Sequence, residues 1–311
     1  MQQEKEKNFV SAVVYLGERA DGVAPFLSVV QAELEARFEA YEFICVNDAC
    51  PASAEAARAY GKTNPTKSPL TLVNMSVRQG VELCMNAGID MAIGDYIFEF
   101  DSTLMPFEPS LIFACYQKGQ EGYDIVSAVP GQGGKLTSRI FYGLFNRTSH
   151  SAYKLETDSF HVLSRRAVNR LHAINPCMAY RKAAYAASGL KLAKVAYTPR
   201  GRFSDQREAR SAQAIDALTL YTNAAYKLSF GISAALLAVT LAAVIYTLVI
   251  YVSAKPIEGW TTTMLVMSAG FFGVFLLLTF IIKYLSLLVE LVFKNQRYLV
   301  ESVEKLQNDQ A

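Results

Sequence analysis

The spacing of apolar and polar residues changes period repeatedly through the first two-thirds of the chain. Residues 9–16 (FVSAVVYL) are an unbroken β-branched and apolar run, the pattern of a buried parallel strand. Residues 22–41 then place Phe26, Val29, Val30, Leu34 and Phe38 at helical intervals. YEFICVND at 41–48 reads as a second buried strand ending in a polar turn. An alanine-rich helix at 52–60, a strand at 69–75 (PLTLVNM), a helix at 78–92 and a strand at 95–101 (DYIFEFD) follow. Strands alternating with helices at this interval predict βαβ units and a mainly parallel sheet. Open sheets of that kind take ligands beyond the carboxyl ends of their strands. Glu18, Asp48 and Asp101, each at or just after a strand end, are therefore expected around one crevice.

The pattern breaks after residue 227. From 228 to 254, and again from 260 to 282, there is no charged residue. About 20 apolar residues span a bilayer as a helix, so both runs are long enough. Only 255–259 (KPIEG) separates them, which predicts a tight transmembrane hairpin. Lys227 precedes the hairpin, and Lys283, Lys294 and Arg297 follow it. The positive-inside rule then places both flanks in the cytoplasm and the short loop outside. The expected organisation is an α/β domain over 1–204, a juxtamembrane amphipathic helix over 205–227 and two transmembrane helices over 228–283. A cytoplasmic C-terminal helix over 284–311 completes it, since the tail keeps helical periodicity with alternating charge.

Charge sharpens this picture. The net charge is only +2, yet residues 135–210 hold 15 Lys or Arg against four acids, Glu156, Asp158, Asp205 and Glu208. A basic block ahead of a membrane helix suits an anionic lipid surface, a lipid phosphate or a nucleotide pyrophosphate, and equally a solvated surface obeying the positive-inside rule. No nucleic-acid motif accompanies it, so nucleic acid is not an expected partner. Residues 131–147, Gly-rich and then basic-aromatic, read as a loop followed by an amphipathic helix. The five cysteines lack metal-type spacing and read as reduced thiols, and MQQEKEKNFV has no apolar core of a secretory leader.

Several segments in order resemble the family 2 glycosyltransferases of GT-A fold, specifically the polyprenyl-phosphate hexose transferases of the dolichol-phosphate-mannose-synthase and bactoprenol-glucosyltransferase kind. YEFICVNDA is similar to the family's strand ending in V-D-D-G. SVRQGVELCMNAGIDMAIGDYIFEFDS aligns without a gap to the family's S-R-N-F-G-K-E segment through G-D-x-V-x-x-x-D-A, keeping Ser76, Gly80, Glu82, Ala87, Gly88, Gly94, Asp95 and Asp101. GYDIVSAVP (122–130), SFHVLSRRAV (159–168) and VFKNQRYLVES (292–302) match further family segments, the last just after the second apolar run.

The resemblance implies a sugar nucleotide (UDP- or GDP-hexose) as donor, polyprenyl phosphate as acceptor, and a bacterial inner membrane with the catalytic domain and both termini cytoplasmic. It implies a role in cell-envelope glycan synthesis and is compatible with a homo-oligomer. Such a transfer must grip the nucleotide, neutralise the departing diphosphate and position the acceptor. The implied nucleotide-sugar contacts are Glu18, Asp48, Arg78 and Asp101. Asp101 is the implied catalytic and metal-binding acid, and Asp158 a second catalytic candidate that orients the acceptor or caps a helix. Arg200, Arg202, Arg207 and Arg181 are implied contacts to lipid phosphate, or else ordinary positive-inside or surface-helix charge.

The chain departs from the family where metal is bound. The D-A-D-x-Q-D-P motif is DSTLMPF here, so Thr103 replaces the second acid and Met105 the glutamine. The expected divalent cation (Mg2+ or Mn2+) therefore has one carboxylate, and its affinity is expected to be weak or nil. The first strand also lacks the family's P-x-Y-N-E ending. A catalytically degenerate relative that binds lipid phosphate or partners another transferase stands as the alternative reading.

Overall fold

A computed structural model describes residues 4–63, 68–131, 160–174, 178, 180–200, 224–253, 257–294 and 298–306. It divides into two compact units, one formed by residues 1–214 together with 294–311, the other by 215–293.

The first unit follows the expected alternation. Strand β1 (Val10–Leu16) leads through a 3-10 turn (Ala20–Gly22) into α1 (Val23–Arg37), then β2 (Tyr41–Asn47), α2 (Pro51–Thr63), β3 (Leu70–Met75), α3 (Gly80–Met91) and β4 (Tyr96–Phe100). Helix α4 (Ser110–Gln120) precedes β5 (Ile125–Pro130), and β6 (Phe160–Ser164) runs straight into α5 (Arg165–Ile174). Helix α6 (Arg181–Ala187) and β7 (Leu192–Tyr197) complete the run.

The eight strands, counting β8 (Val300–Lys305), form one sheet in the order β7-β5-β6-β4-β1-β2-β3-β8. β1 pairs in parallel with both β2 and β4, β2 with β3, and β5 with β7. β6 runs antiparallel between β4 and β5, and β8 antiparallel along β3. The sheet is thus mainly parallel, as the alternation predicts.

Period-2 alternation sorts each central strand between two apolar layers. Val10, Ala12, Val14 and Leu16 face the layer built by α1, α2 and α4, while Val13 and Tyr15 face the layer built by α3, α5 and α6. Two glycines shared with the resembling family prove to be packing residues. A Cβ on Gly88 would stand 2.4 Å from Val13 and 2.8 Å from Val46, so only glycine lets α3 lie this close to β1 and β2. A Cβ on Gly94 would stand 2.7 Å from the Ser11 backbone nitrogen.

The tail requires a correction. The C-terminal helix expected over 284–311 is a helix only as far as Lys294, and Val300–Lys305 is the edge strand β8. The reason is the partner on offer. Without β8, the amides and carbonyls of β3 would lack a ladder on that side. Asn74 donates to Ser302 (3.0 Å) and Glu304 (2.6 Å), and Arg58 grips Glu304 through Nε and Nη2 at 2.8 and 2.7 Å. Val300 and Val303 are β-branched residues, suited to this extended segment.

In the second unit, α7 (Ala224–Ser253) and α8 (Trp260–Lys294) contain spans of 24 residues (Phe230–Ser253) and 26 residues (Trp260–Leu285) that are long and apolar enough to cross a membrane. At 1.5 Å per residue each exceeds the ~30 Å hydrocarbon core. Their apolar side chains, among them Val252, Val266 and Leu277, point outward rather than into a protein core. Of the amphipathic segments expected at 131–147 and 205–227, only Gly131 and residues 224–227, the start of α7, are described.

Candidate active site at the carboxyl edge of the sheet

Because β4, β1 and β2 are adjacent and parallel, their carboxyl ends open onto one edge. Asp101 directly follows β4, Glu18 stands two residues beyond β1, and Asp48 directly follows β2. The three acids expected around a crevice thus share that edge.

Their surroundings differ sharply. Asp48 is buried, and its carboxylate accepts from Gln79 N (2.7 Å), Gly80 N (3.1 Å) and Tyr15 Oη (2.8 Å). It thereby fastens the β3–α3 connection to the end of β2. Burial, and then the neighbouring Asp48, push the Tyr15 phenol far above its ordinary range. Asn47, where many members of the resembling family carry a second acid, accepts from Cys50 N (3.1 Å) and donates to Asn74 (3.0 Å), so its amide is spent on structure. Glu18 and Arg78 form an ion pair with both side chains mostly in solvent.

Asp101 belongs to a buried charge cluster that sequence reasoning did not anticipate. The Arg181 guanidinium pairs with three carboxylates: Nε donates to Glu82 (3.0 Å), Nη2 donates to Asp101 (2.5 Å), and Nη1 lies 3.0 Å from Glu99 as an ion pair without hydrogen-bond geometry. The Arg181 amide donates to Glu82 as well (2.9 Å). Lys182 Nζ lies 3.4 Å from the other Asp101 oxygen, Tyr185 donates to Glu99 (2.6 Å), and His161 Nδ1 stands 3.7 Å from Glu99. Residues from α3, β4, β6 and α6 are locked together here. Burial would raise the Asp101 carboxyl, but Arg181 and then Lys182 outweigh it and hold it well below the usual carboxylate range. For Glu82 burial wins and its carboxyl is raised. Arg181 stays fully charged because Asp101, Glu99 and Glu82 more than offset its own burial.

Arg181, one of the expected lipid-phosphate contacts, is therefore placed differently. Its side chain is 1% exposed and committed to three protein carboxylates, which leaves a lipid phosphate no access to it. Nor is it a surface-helix charge. The missed signals were an acid, Glu99, inside the apolar strand YIFEF, and an arginine in the small-residue segment MAYRKAAYAA. A charge in each apolar setting demands a partner. Arg200 is exposed, pairs with Glu108 and donates its amide to Pro106 O (2.7 Å). Asp158, Arg202 and Arg207 lie outside the described residues.

Comparison with solved structures identifies the fold. A mannosyltransferase of Pyrobaculum calidifontis, solved in complex with GDP-Man and Mn2+, superposes with a TM-score of 0.51 at 14% identity, covering 94% of this chain and 89% of that one. The chain has the GT-A fold. Two curated relatives are named as uncharacterised glycosyltransferases: one from a Synechocystis species, 28% identical over 172 residues, and one from Bacillus subtilis, 28% identical over 148. The matches span 53% and 44% of this chain, and 53% and 45% of those proteins, so the chain spans about half the length of the curated relatives it matches. No protein-family model matches it.

Within this GT-A head the place of a divalent cation can be tested against the residues present. Among the described residues, no three His, Cys, Asp or Glu side chains form a group able to hold a metal. Thr103, at the position of the family's second acid, sits against the turn after β1, its hydroxyl 3.1 Å from where a Gly22 Cβ would stand. Asp101 remains ionised and 19% exposed. One such carboxylate fits a hard cation only where diphosphate and water supply the other ligands.

Proposed function

We infer that the protein is a membrane glycosyltransferase that moves a hexose from a sugar nucleotide to polyprenyl phosphate on the cytoplasmic face. The observation that carries this reading is the carboxyl-edge arrangement of Glu18, Arg78, Asp48 and Asp101 on a GT-A sheet in a chain that also holds two membrane-length helices. The Pyrobaculum neighbour's GDP-Man and Mn2+ support a sugar nucleotide and a divalent metal here. Glu18 and Arg78 would meet the nucleotide. Asp48 would act one step back, holding the Gln79–Gly80 backbone in place. Asp101 would hold the metal, which when bound supplies positive charge to the diphosphate. An oxygen of the acceptor phosphate forms the new bond to the sugar's anomeric carbon as the bond to the nucleotide diphosphate breaks, its electron pair leaving with the diphosphate. An acceptor already anionic needs orientation by cations more than a strong base. Exposed Arg200 is a candidate for that, with Arg202 and Arg207 beyond it.

Topology supports the cytoplasmic assignment. Two spans return the chain to the face it left, and β8, beyond the second span, completes the same sheet as β1–β7. Lys227 and Lys283 flank the pair, which favours the cytoplasm for both ends.

The test uses the full chain in detergent or liposomes with radiolabelled UDP- and GDP-hexoses, polyprenyl phosphate and Mn2+. Labelled lipid extractable into organic solvent is expected, and Asp101→Asn should abolish it. Nucleotide binding without any labelled lipid would refute the enzyme and leave a binding relative.

A further inference from the structure

Two cations address Asp101, and they are not equivalent. Arg181 is enclosed and spread over three carboxylates, Nε and Nη2 donating to Glu82 and Asp101 while Nη1 stands in ion-pair contact with Glu99. Lys182, the next residue, meets the second Asp101 oxygen at 3.4 Å, longer than a charge-assisted hydrogen bond, and its side chain is 14% exposed on the same edge. Arg181 is thus the counter-charge built into the protein. Lys182 is a compact ammonium on a flexible four-carbon stem, able to swing between a carboxylate and an anion arriving from solvent.

Charge balance at this strand end points the same way. A metal site gains from every carboxylate and loses from every cation beside it. Here the second acid is Thr103, a neutral hydroxyl turned toward Gly22, while two cations stand on the one acid that remains. The charge of Asp101 is accordingly shared with two cations before any dication arrives. A diphosphate approaching the carboxyl edge meets in Lys182 a positive charge that holds Asp101 at the metal's expense.

Resting on the sugar-nucleotide reading above, we propose that Lys182 is a built-in cation for the nucleotide diphosphate, sharing the neutralising role of the metal and competing with metal for Asp101. Two consequences are opposite in sign. Nucleotide diphosphate binds measurably without metal, and removing the lysine makes binding more dependent on metal by releasing the second Asp101 oxygen.

The experiment is calorimetric titration of UDP and GDP into the full chain in detergent, once with EDTA and once with Mn2+. It compares wild type, Lys182→Gln and Lys182→Arg, with thermal melting to confirm that each variant is folded. Wild type should bind one of the two nucleotides in EDTA. Lys182→Gln should lose about tenfold or more of that affinity, the worth of one charge-assisted contact. The same variant should show a larger gain from Mn2+ than wild type. Lys182→Arg, which keeps the charge, should retain most of the EDTA affinity. Wild-type binding seen only with Mn2+, or Lys182→Gln binding unchanged in EDTA, overturns the proposal while sparing the sugar-nucleotide reading. Failure of both nucleotides to bind in either buffer overturns both.

Discussion

Replacing Arg181 by methionine should be among the most destabilising single changes in the head, and the cluster geometry sets the scale. Methionine keeps much of the length and removes the guanidinium, so the packing loss is small and the electrostatic loss dominates. What remains is Glu99 in full burial, Glu82 nearly so and Asp101 19% exposed, with Lys182 beside Asp101 and His161 beside Glu99 as the nearby basic groups. Removing one partner of a buried ion pair costs about 3–5 kcal/mol, because the other is left charged in a poor solvent or must take up a proton. For a head of this size that corresponds to a fall of about 6–20 °C in melting temperature. The sign of the pH dependence follows. Without Arg181, the folded-state pKa values of the orphaned carboxylates rise above their unfolded values. The penalty is then fully present at high pH and fades as pH falls toward the unfolded carboxylate pKa near 4. In wild type, Asp101 is held below the usual range, so its stabilising contribution persists across this window and is lost only in stronger acid. Melting of the detergent-solubilised chain at pH 8 and pH 5 should therefore show a gap between variant and wild type that narrows at pH 5. Adding Glu99→Gln to Arg181→Met should recover part of the loss, since one orphan charge goes with it. A gap of less than about 2 °C at pH 8, below what 1 kcal/mol produces, would refute the reading of Arg181 as the counter-charge of this cluster.

Two further outcomes follow from the tail and the hairpin. Glu304→Ala breaks the two-pronged contact with Arg58 and the bond from Asn74, and should cost about 1–2 kcal/mol; limited proteolysis should then cut near residues 295–299 faster, and an unchanged cleavage rate would mean β8 is held by its backbone ladder alone. Single cysteines introduced at Lys255 and Lys305 should label from opposite faces of sealed inverted vesicles, and labelling from the same face would overturn the hairpin topology.

How much of this was legible in the sequence depends on whether the responsible signal was local. The first four strands, their helices and the two apolar spans were readable because each announces itself within one window: a β-branched run, a helical stripe, an absence of charge. The antiparallel strands were less so. β6 lies between β4 and β5 although residues 131–159 separate it from β5, and β8 returns to the sheet from beyond two membrane-length helices. Nothing local in VESVEK says that an open strand edge is waiting for it.

The site shows the same division at the level of single residues. Asp48 and Asp101 could be located by their place after strands, but what each does depends on partners far away in the chain. Asp48 is consumed by Tyr15, Gln79 and Gly80, and Asp101 by Arg181, 80 residues on. A motif read as an isolated metal acid is therefore half of an internal ion pair. That pairing gives a physical account of the altered motif. With Arg181 and Lys182 already supplying positive charge, a second acid at position 103 would find its demand for a cation met in advance. Thr103 can then close the turn against Gly22 without leaving a buried charge unpaired. The substitution and the cluster are two sides of one electrostatic arrangement, and changing either alone should disturb the other.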